Sequence, residues 1–211
     1  MIAYWLILLL IPFESQSACL SDSQVNMEAS TTKMRMAEET AENFQQSIGH
    51  EIPAPNQLTI NLEPLNPRVN AEINKTNTSV AISIWGGMLS HPRMNNDTLI
   101  LLLCHELGHF LGGPPLKSRT SWSSTEGQAD YFSGLNCAHK LGMDEAAFLS
   151  ASLALTKIYA EVSNEPEPSL ESCDRNVASR TNYGYPKVQC RLDTLIAGWR
   201  GEKRPSCWFS N

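Results

Sequence analysis

Residues 98–111 form the strongest predicted helix of the chain, and they constrain the fold more than any other stretch. Asp97 is a suitable N-cap, because its side chain can accept a hydrogen bond from a free amide of the first turn. Two helix-stopping signals follow, in the sequence Gly112-Gly113-Pro114-Pro115. Near its end the apolar run is interrupted by His105-Glu106-Leu107-Gly108-His109. Any fold of this chain therefore carries two imidazoles and a carboxylate on this helix.

The spacing of the two histidines is that of a metal site on a helix. Residues four apart share one face, so both imidazoles can reach a single ion. Glu106 then lies beside the open coordination position, where it can take a proton from water. Zinc with three protein ligands lowers the pKa of such a water from about 16 to about 7. The motif predicts hydrolysis of a carbonyl substrate, with His105 and His109 as ligands and Glu106 as general base.

A third ligand is expected downstream, and Glu126 supplies it at the start of the next predicted helix. Asp130 is four residues further on and shares the same face. It can accept the outer N–H of a ligating imidazole and so fix the tautomer of that ring. The alternative role for Glu126 is a capping box with Ser123, because Ser-x-x-Glu is a helix-start signature.

The rest of the chain predicts helices mixed with short strands. We expect strands over 58–62, 69–73 and 79–85, and helices over 28–48, about 123–140, 144–162 and 190–199. This pattern indicates one α+β domain with a mostly helical C-terminal half. A small sheet would lie against the helix that carries the histidines, and its edge strand would be free to pair with an extended peptide.

The first 18 residues are typical of an export signal. Residues 2–13 are apolar, and as a helix they would span about 18 Å, against a bilayer core of about 30 Å. Polar and small residues follow, so we expect cleavage after Ala18, a signal peptide over 1–18 and a domain over 19–211 in a periplasmic or secreted protein. An uncleaved N-terminal anchor is the alternative, because no Lys or Arg precedes Lys33.

Six cysteines would remain after that cleavage, at positions 19, 104, 137, 173, 190 and 207. An even number in an exported chain favours disulfides, and their pairing stays open. Cys19 could instead carry a lipid anchor, although Gln16 stands where a lipobox normally has Leu. For Cys104, inside an apolar run, the alternative is a buried free thiol.

Composition narrows the expected partners. The 42% hydrophobic content, with 12 Gly and 12 Pro in 211 residues, is ordinary for a globular domain. A formal net charge of -6 gives no basic footprint, so neither nucleic acid nor a polybasic contact with a membrane surface is expected. A polypeptide substrate is the partner that the metal motif indicates.

These motifs resemble the gluzincin metallopeptidases of the CAAX-protease and heat-shock-membrane-protease type, particularly their soluble, exported bacterial members. The resemblance rests on the motif at 105–109 with Glu-x-x-Ala-Asp at 126–130. Asn70-Ala71 and Gly87-Met88-Leu89 look like the family's Asn-Ala strand and Gly-Leu-Leu turn, and residues 185–192 are similar to its His-Pro-x4-Arg-Ile segment. The resemblance covers roughly residues 25–200 and implies a zincin-like fold with one Zn²⁺ per chain.

The resemblance also implies further residues near the metal. Tyr185 stands where the family usually has His, and its phenol could hydrogen-bond a developing oxyanion. Arg191 is a second candidate for that contact, with a salt bridge to a neighbouring helix as the alternative. His91 follows the strand that borders the family's cleft and is a candidate substrate contact. The long transmembrane helices of the integral-membrane relatives are missing, so prenyl-protein processing is not expected.

The expected function is an exported zinc metalloendopeptidase. Two alternatives stay open. One is a periplasmic chaperone or assembly factor with a latent or structural zinc site, which the Tyr185 departure motivates. The other is a cysteine-stabilised binding module in which the His-Glu-x-x-His sequence is accidental.

Overall fold

A computed structural model describes the backbone of residues 22–210 and the side chains of residues 31–210. The expected signal peptide over 1–18 and Cys19 lie outside the described residues. The strands are β1 (Gln57–Glu63), β2 (Ala71–Lys75) and β3 (Ser79–Trp85). The helices are α1 (Asp22–Ile48), α2 (Gly86–Ser90), α3 (Asn96–Leu111), α4 (Glu126–Phe132), α5 (Glu145–Ser163) and α6 (Val188–Trp199). Together they form the expected single α+β domain, and none of the helices just named is both long and apolar enough to cross a bilayer.

The three strands form one mixed sheet in the order β1-β3-β2. β3 runs parallel to β1 and antiparallel to β2, and Ile82 lies between Ile60 and Ile73 of its two neighbours. Every second residue of β3 is buried, which is the pattern of a strand with one face on the core. In this order β2 lies at an edge of the sheet, and one side of its backbone has no strand partner within residues 22–210.

Helix α3 lies in the middle of the domain. It contacts β2 and β3 on one side and α1, α4 and α5 around the rest of its surface. A helix that is hydrophobic all round is expected to be buried, and four leucines of its first turns are at most 1% exposed: Leu99, Leu101, Leu102 and Leu103. The expected N-cap at Asp97 is wrong, because the side chain of Asn95 accepts the bond from the Thr98 amide.

The helix expected over about 123–140 begins three residues later and changes type, and its expected end at Lys140 is confirmed. It begins at Glu126, runs as α4 to Phe132, continues as a π-helical turn over Ser133–Ala138 and ends at Lys140. The residues before Glu126 are extended, because Ser124 pairs with Leu116 in an isolated bridge and donates its amide to the carbonyl of His109. This loop fixes where α4 starts relative to α3.

Two disulfides join these elements. Cys104 of α3 is bonded to Cys137 of the π-helical turn, so the alternative of a buried free thiol at Cys104 is wrong. Cys190 of α6 is bonded to Cys207, close to the end of the described chain. Cys173 is exposed and has no disulfide partner among the described residues.

Candidate metal centre

The ligand atoms of His105, His109 and Glu126 converge between α3 and α4. They all lie within 4.8 Å of one another, and the three residues are buried. Nε2 of His105 is 3.3 Å from one carboxylate oxygen of Glu126, and Nε2 of His109 is 3.5 Å from the other. These three residues could therefore hold a metal ion.

The central glycine of the motif allows this convergence. A Cβ atom at Gly108 would lie 2.7 Å from the carbonyl oxygen of Ala129 and 2.9 Å from its Cα. Only glycine lets the backbones of α3 and α4 approach this closely. Because α4 is held so near, its first residue, Glu126, reaches both imidazoles.

The outer nitrogen of each imidazole has an acceptor. Nδ1 of His105 lies 2.8 Å from Oδ1 of Asp130, and Nδ1 of His109 lies 2.8 Å from the carbonyl oxygen of Ser124. An Nδ1–H that donates to these oxygens leaves Nε2 of each ring directed at Glu126. Two imidazole nitrogens and one carboxylate, each oriented in this way, are a donor set that fits zinc.

The capping-box alternative for Glu126 does not hold. The helix begins at Glu126 with Thr125 as its N-cap, so Ser123 lies outside the helix. A capping box needs its Glu at the third helical position, where the carboxylate can turn back to the N-cap amide. The carboxylate of Glu126 instead faces the two histidines.

Arg191 is buried and engaged with Asp130 rather than open to a substrate. Its Nε and one terminal nitrogen lie 2.7 and 2.9 Å from the two carboxylate oxygens of Asp130. Its guanidinium also lies over the Tyr159 ring, 4.0 Å from the ring centroid. This is the salt bridge to a neighbouring helix that the sequence left as the alternative.

The buried charges shift one another's pKa values. Burial lowers the pKa of His105, but the charge and hydrogen bond of Asp130 outweigh it and raise the value to about 9. Burial raises the pKa of Glu126, but its hydrogen bond and charge contact with His105 hold it well below the usual range. Both shifts have the direction that follows from placing a positive charge on His105 between two carboxylates, and a metal ion at Nε2 would supply that charge.

Glu106 and His109 are shifted mainly by burial. Burial raises the pKa of Glu106 to about 7, and burial together with the charge of His105 lowers that of His109 to about 4. A carboxyl group with a pKa near neutrality can both accept and return a proton at the pH of most compartments. That is the property the sequence argument requires of Glu106.

The centre opens into a cleft of about 710 Å³. Residues 69–73, at and just before β2, form one wall, and Glu106 lines the floor. Three exposed apolar side chains from different segments line the cleft as well: Trp122, Val162 and Tyr185. Tyr185 is 77% exposed, so it stands at the entrance, and no described contact ties its phenol to the centre.

His91 lies outside this cleft. Its Nε2 is 3.1 Å from Glu161 of α5, and its Nδ1 accepts a hydrogen bond from the Arg93 amide. Arg93 in turn binds Glu161 and Glu167. The structure thus places His91 in a polar network on the outside of α5.

Two site residues were missed by the sequence analysis. Nζ of Lys117 is 3.0 Å from Glu126, and Tyr159 of α5 packs beneath Arg191. Lys117 lies in a loop without periodicity, so no spacing pointed to it. Tyr159 has the helical spacing of an ordinary core residue, which is a weak signal for a site.

A second cluster of metal-ligating residue types does not form a comparable centre. Asp174, Cys190 and Cys207 lie close together, but the two sulfur atoms are bonded to each other. A disulfide sulfur has no thiolate to offer a metal. The buried group around Glu126 is therefore the stronger candidate of the two.

Comparisons of the chain with protein-family models, with curated proteins and with solved structures give no match. The family resemblance stays a prediction from motifs, and the function has to be argued from the geometry of the site.

Proposed function

We propose that this chain is an exported zinc-dependent endopeptidase. The observation that carries the proposal is the convergence of two imidazoles and one carboxylate at the floor of an open cleft, with buried Glu106 beside them. Three protein ligands, an adjacent carboxylate and access for substrate are the parts that metal-assisted hydrolysis needs.

His105, His109 and Glu126 would hold the metal. When bound there, zinc would polarise the scissile carbonyl and lower the pKa of the attacking water. Glu106 accepts a proton from that water as its oxygen bonds to the carbonyl carbon. It then gives the proton to the amine nitrogen as the C–N bond breaks. Asp130 and Arg191 keep the His105 ring oriented and do not touch the substrate.

The edge of β2 supports a polypeptide as the substrate. Five consecutive residues, 69–73, line the cleft, and the last three of them belong to the edge strand β2. An extended peptide could add to this edge as a fourth strand, bound through its main chain. Main-chain pairing gives affinity with little selectivity for side chains, which suits an endopeptidase.

The two disulfides support export. Such bonds form and persist in oxidising compartments and are rare in the cytosol. Cys104–Cys137 is buried in the core, next to the proposed metal ligands, so it belongs to the functional form of the domain. We infer a periplasmic or extracellular location from this.

A pair of variants tests the proposal. Glu106→Gln should keep about one zinc per chain, measured by mass spectrometry, and lose hydrolysis of an unfolded protein substrate. Glu126→Ala should lose both zinc and hydrolysis. Wild-type protein that holds zinc and cleaves no unfolded substrate would contradict the peptidase proposal.

The exposed apolar side chains of the cleft favour a second candidate, a chaperone that binds unfolded chains without cutting them. If the protein is such a chaperone, wild type and Glu106→Gln should suppress the aggregation of an unfolded substrate equally. The mass of the substrate should stay unchanged with both proteins. Cleavage by wild type alone favours the peptidase.

A further inference from the structure

Lys117 is the residue of the site that the proposed mechanism leaves without a role. It belongs to the loop between α3 and α4, which folds back on itself through the bridge between Leu116 and Ser124. The amide of Lys117 donates to the carbonyl of Ser123 at 2.8 Å. The backbone at Lys117 is therefore fixed, and its side chain lines the cleft.

The ammonium group reaches the centre from its open side. Nζ lies 3.0 Å from Glu126 Oε1, and the Lys117 side chain is 40% exposed whereas that of Glu126 is 5% exposed. Lys117 is thus a cation between the solvent and the reacting groups.

A second cation beside the metal would favour hydrolysis. Attack on the carbonyl carbon places negative charge on the carbonyl oxygen, in a cleft that already contains Glu106 and Glu126. Among the described residues that line the cleft, the Lys and Arg side chains are Lys117 and Arg191. Arg191 is held by both oxygens of Asp130 and is 4% exposed, which leaves Lys117 to face the substrate.

The contact with Glu126 can be released when a metal is present. The ammonium balances part of the negative charge of this carboxylate. A divalent ion held by Glu126 would provide that balance and repel a second cation beside it. The long, flexible lysine stem could then turn from the carboxylate into the cleft.

We propose that Lys117 is a catalytic residue, whose ammonium donates a hydrogen bond to the scissile carbonyl oxygen as negative charge develops there. This rests on the proposed peptidase function. The proton of that hydrogen bond stays on Lys117, while the proton of the attacking water goes to Glu106 and then to the leaving amine. Lys117 would thus fill the role that the sequence assigned to Tyr185 or Arg191.

Three variants of the full mature chain test this: Lys117→Met, Lys117→Arg and the control Lys203→Met. Lys203 is an exposed lysine after α6 that does not line the cleft. Each variant is assayed for zinc content, for kcat and KM on an internally quenched peptide, and for the inhibition constant of a phosphinic peptide. The phosphinic group carries the charge and shape of the tetrahedral oxyanion, so it reports the proposed hydrogen bond without turnover.

We expect Lys117→Met to keep its zinc and its KM within about threefold, and to lose kcat by about 100-fold, as when one oxyanion donor is removed. The phosphinic peptide should bind more weakly by a similar factor. Lys117→Arg should recover part of both losses, and Lys203→Met should match wild type.

Two results would overturn the assignment of Lys117 alone. One is wild-type kcat in Lys117→Met, and the other is loss of zinc in that variant, which would make the residue part of the metal site. Wild-type protein that holds zinc and cleaves no peptide would overturn the peptidase function itself, and the role of Lys117 with it.

Discussion

His105, Asp130 and Arg191 form a buried chain of charge on three different helices. Asp130 is fully buried, and each of its carboxylate oxygens accepts a hydrogen bond, one from His105 and the other from Arg191. The Asp130 contact was predictable, since residue 130 is one turn after Glu126. The Arg191 contact was not, because 61 residues separate it from Asp130 and no local pattern spans that distance.

Arg191→Leu should destabilise the protein and weaken metal binding. The substitution leaves the Asp130 carboxylate buried without its cation, which costs about 3–5 kcal/mol of unfolding free energy. It also loosens the His105 ring, which lowers metal affinity about 10- to 100-fold. Urea unfolding and competition with a chromophoric chelator measure the two effects.

The exposed Arg180 provides the control for that experiment. Arg180→Leu should change the unfolding free energy by less than about 0.5 kcal/mol. Adding Asp130→Asn to Arg191→Leu should recover stability, because the unpaired charge is removed. A double variant less stable than Arg191→Leu would contradict the charge argument.

At the scale of elements, the close approach of α3 and α4 is what creates the centre. Gly108 of α3 touches the backbone of Ala129, and on the far side of α4 a Cβ at Gly127 would overlap the Trp208 ring. Helix α4 is therefore held between α3 and the segment around Trp208. The position of Glu126 depends on both contacts.

Gly108→Ala should push the two helices apart. The added methyl group meets the Ala129 backbone, which cannot rotate away, so we expect a loss of about 1–3 kcal/mol in spite of the better helix propensity of alanine. Metal affinity should fall with it, because Glu126 moves away from the histidines. Thermal unfolding and metal titration report the two changes.

Gly49→Ala serves as the matched control, because nothing lies within 4 Å of the position a Cβ would occupy there. It should leave metal affinity unchanged. Equal metal affinity in Gly108→Ala and wild type would show that the close approach does not set the centre.

The bounds of some elements could be predicted from their own residues, whereas the bounds that differ from prediction are set by tertiary contacts. The strand over 79–85 matches β3 at both ends, because the β-branched residues Val80, Ile82 and Ile84 alternate along it and Gly86-Gly87 follows its last residue. The strand expected over 69–73 lies two residues later, since the turn at Thr76, whose amide donates to Ser79, sets its pairing with β3. The π-helical turn that continues α4 lies at a close contact with α6, where a Cβ at Gly134 would overlap the Leu195 carbonyl.

The polar network on the outside of α5 should make the stability of the fold decrease as the pH becomes acidic. Hydrogen bonds from Arg93 and Lys157 hold the pKa values of Glu161 and Glu167 below their usual range. Carboxyl groups with lowered pKa values stabilise the folded state above their unfolded pKa, and this stabilisation is lost as the pH falls through the lower, folded value.

Arg93→Met should therefore have a lower melting temperature than wild type near neutral pH, and the difference should shrink as the pH is lowered into the range of carboxyl titration. Melting curves at several pH values between about 7 and 3 measure this. A difference that stays constant or grows on acidification would contradict the assigned network.

At the scale of the whole molecule, both disulfides begin one residue before a residue of the site. Cys104 precedes His105, and Cys190 precedes Arg191. The first bond fixes the metal-binding helix to the π-helical turn, and the second fixes α6 to the segment that carries Trp208. Sequence alone could not choose this pairing, because it depends on how four distant segments pack.

Replacing Cys190 and Cys207 together by Ser should cost about 3 kcal/mol of unfolding free energy, as for other loops of roughly this length. Metal affinity should also fall, because α6 carries Arg191. Cys173→Ser should leave both quantities unchanged, since this thiol is exposed and unpaired within the described chain. The unfolding free energies of wild type, the double variant and Cys173→Ser, each measured with and without reductant, test these expectations. A wild-type unfolding free energy that reductant does not change would contradict a stabilising role of the disulfide.

The packing of Trp208 against Gly127 has a consequence for biosynthesis. A polypeptide emerges from the ribosome with its N-terminus first, so the histidines are made about a hundred residues before this tryptophan. The helix that carries Glu126 has its outer support only after Trp208 has joined the fold. Under the proposed function, the metal centre is therefore incomplete until Trp208 has been made, and hydrolytic competence should arise only once this residue has joined the fold.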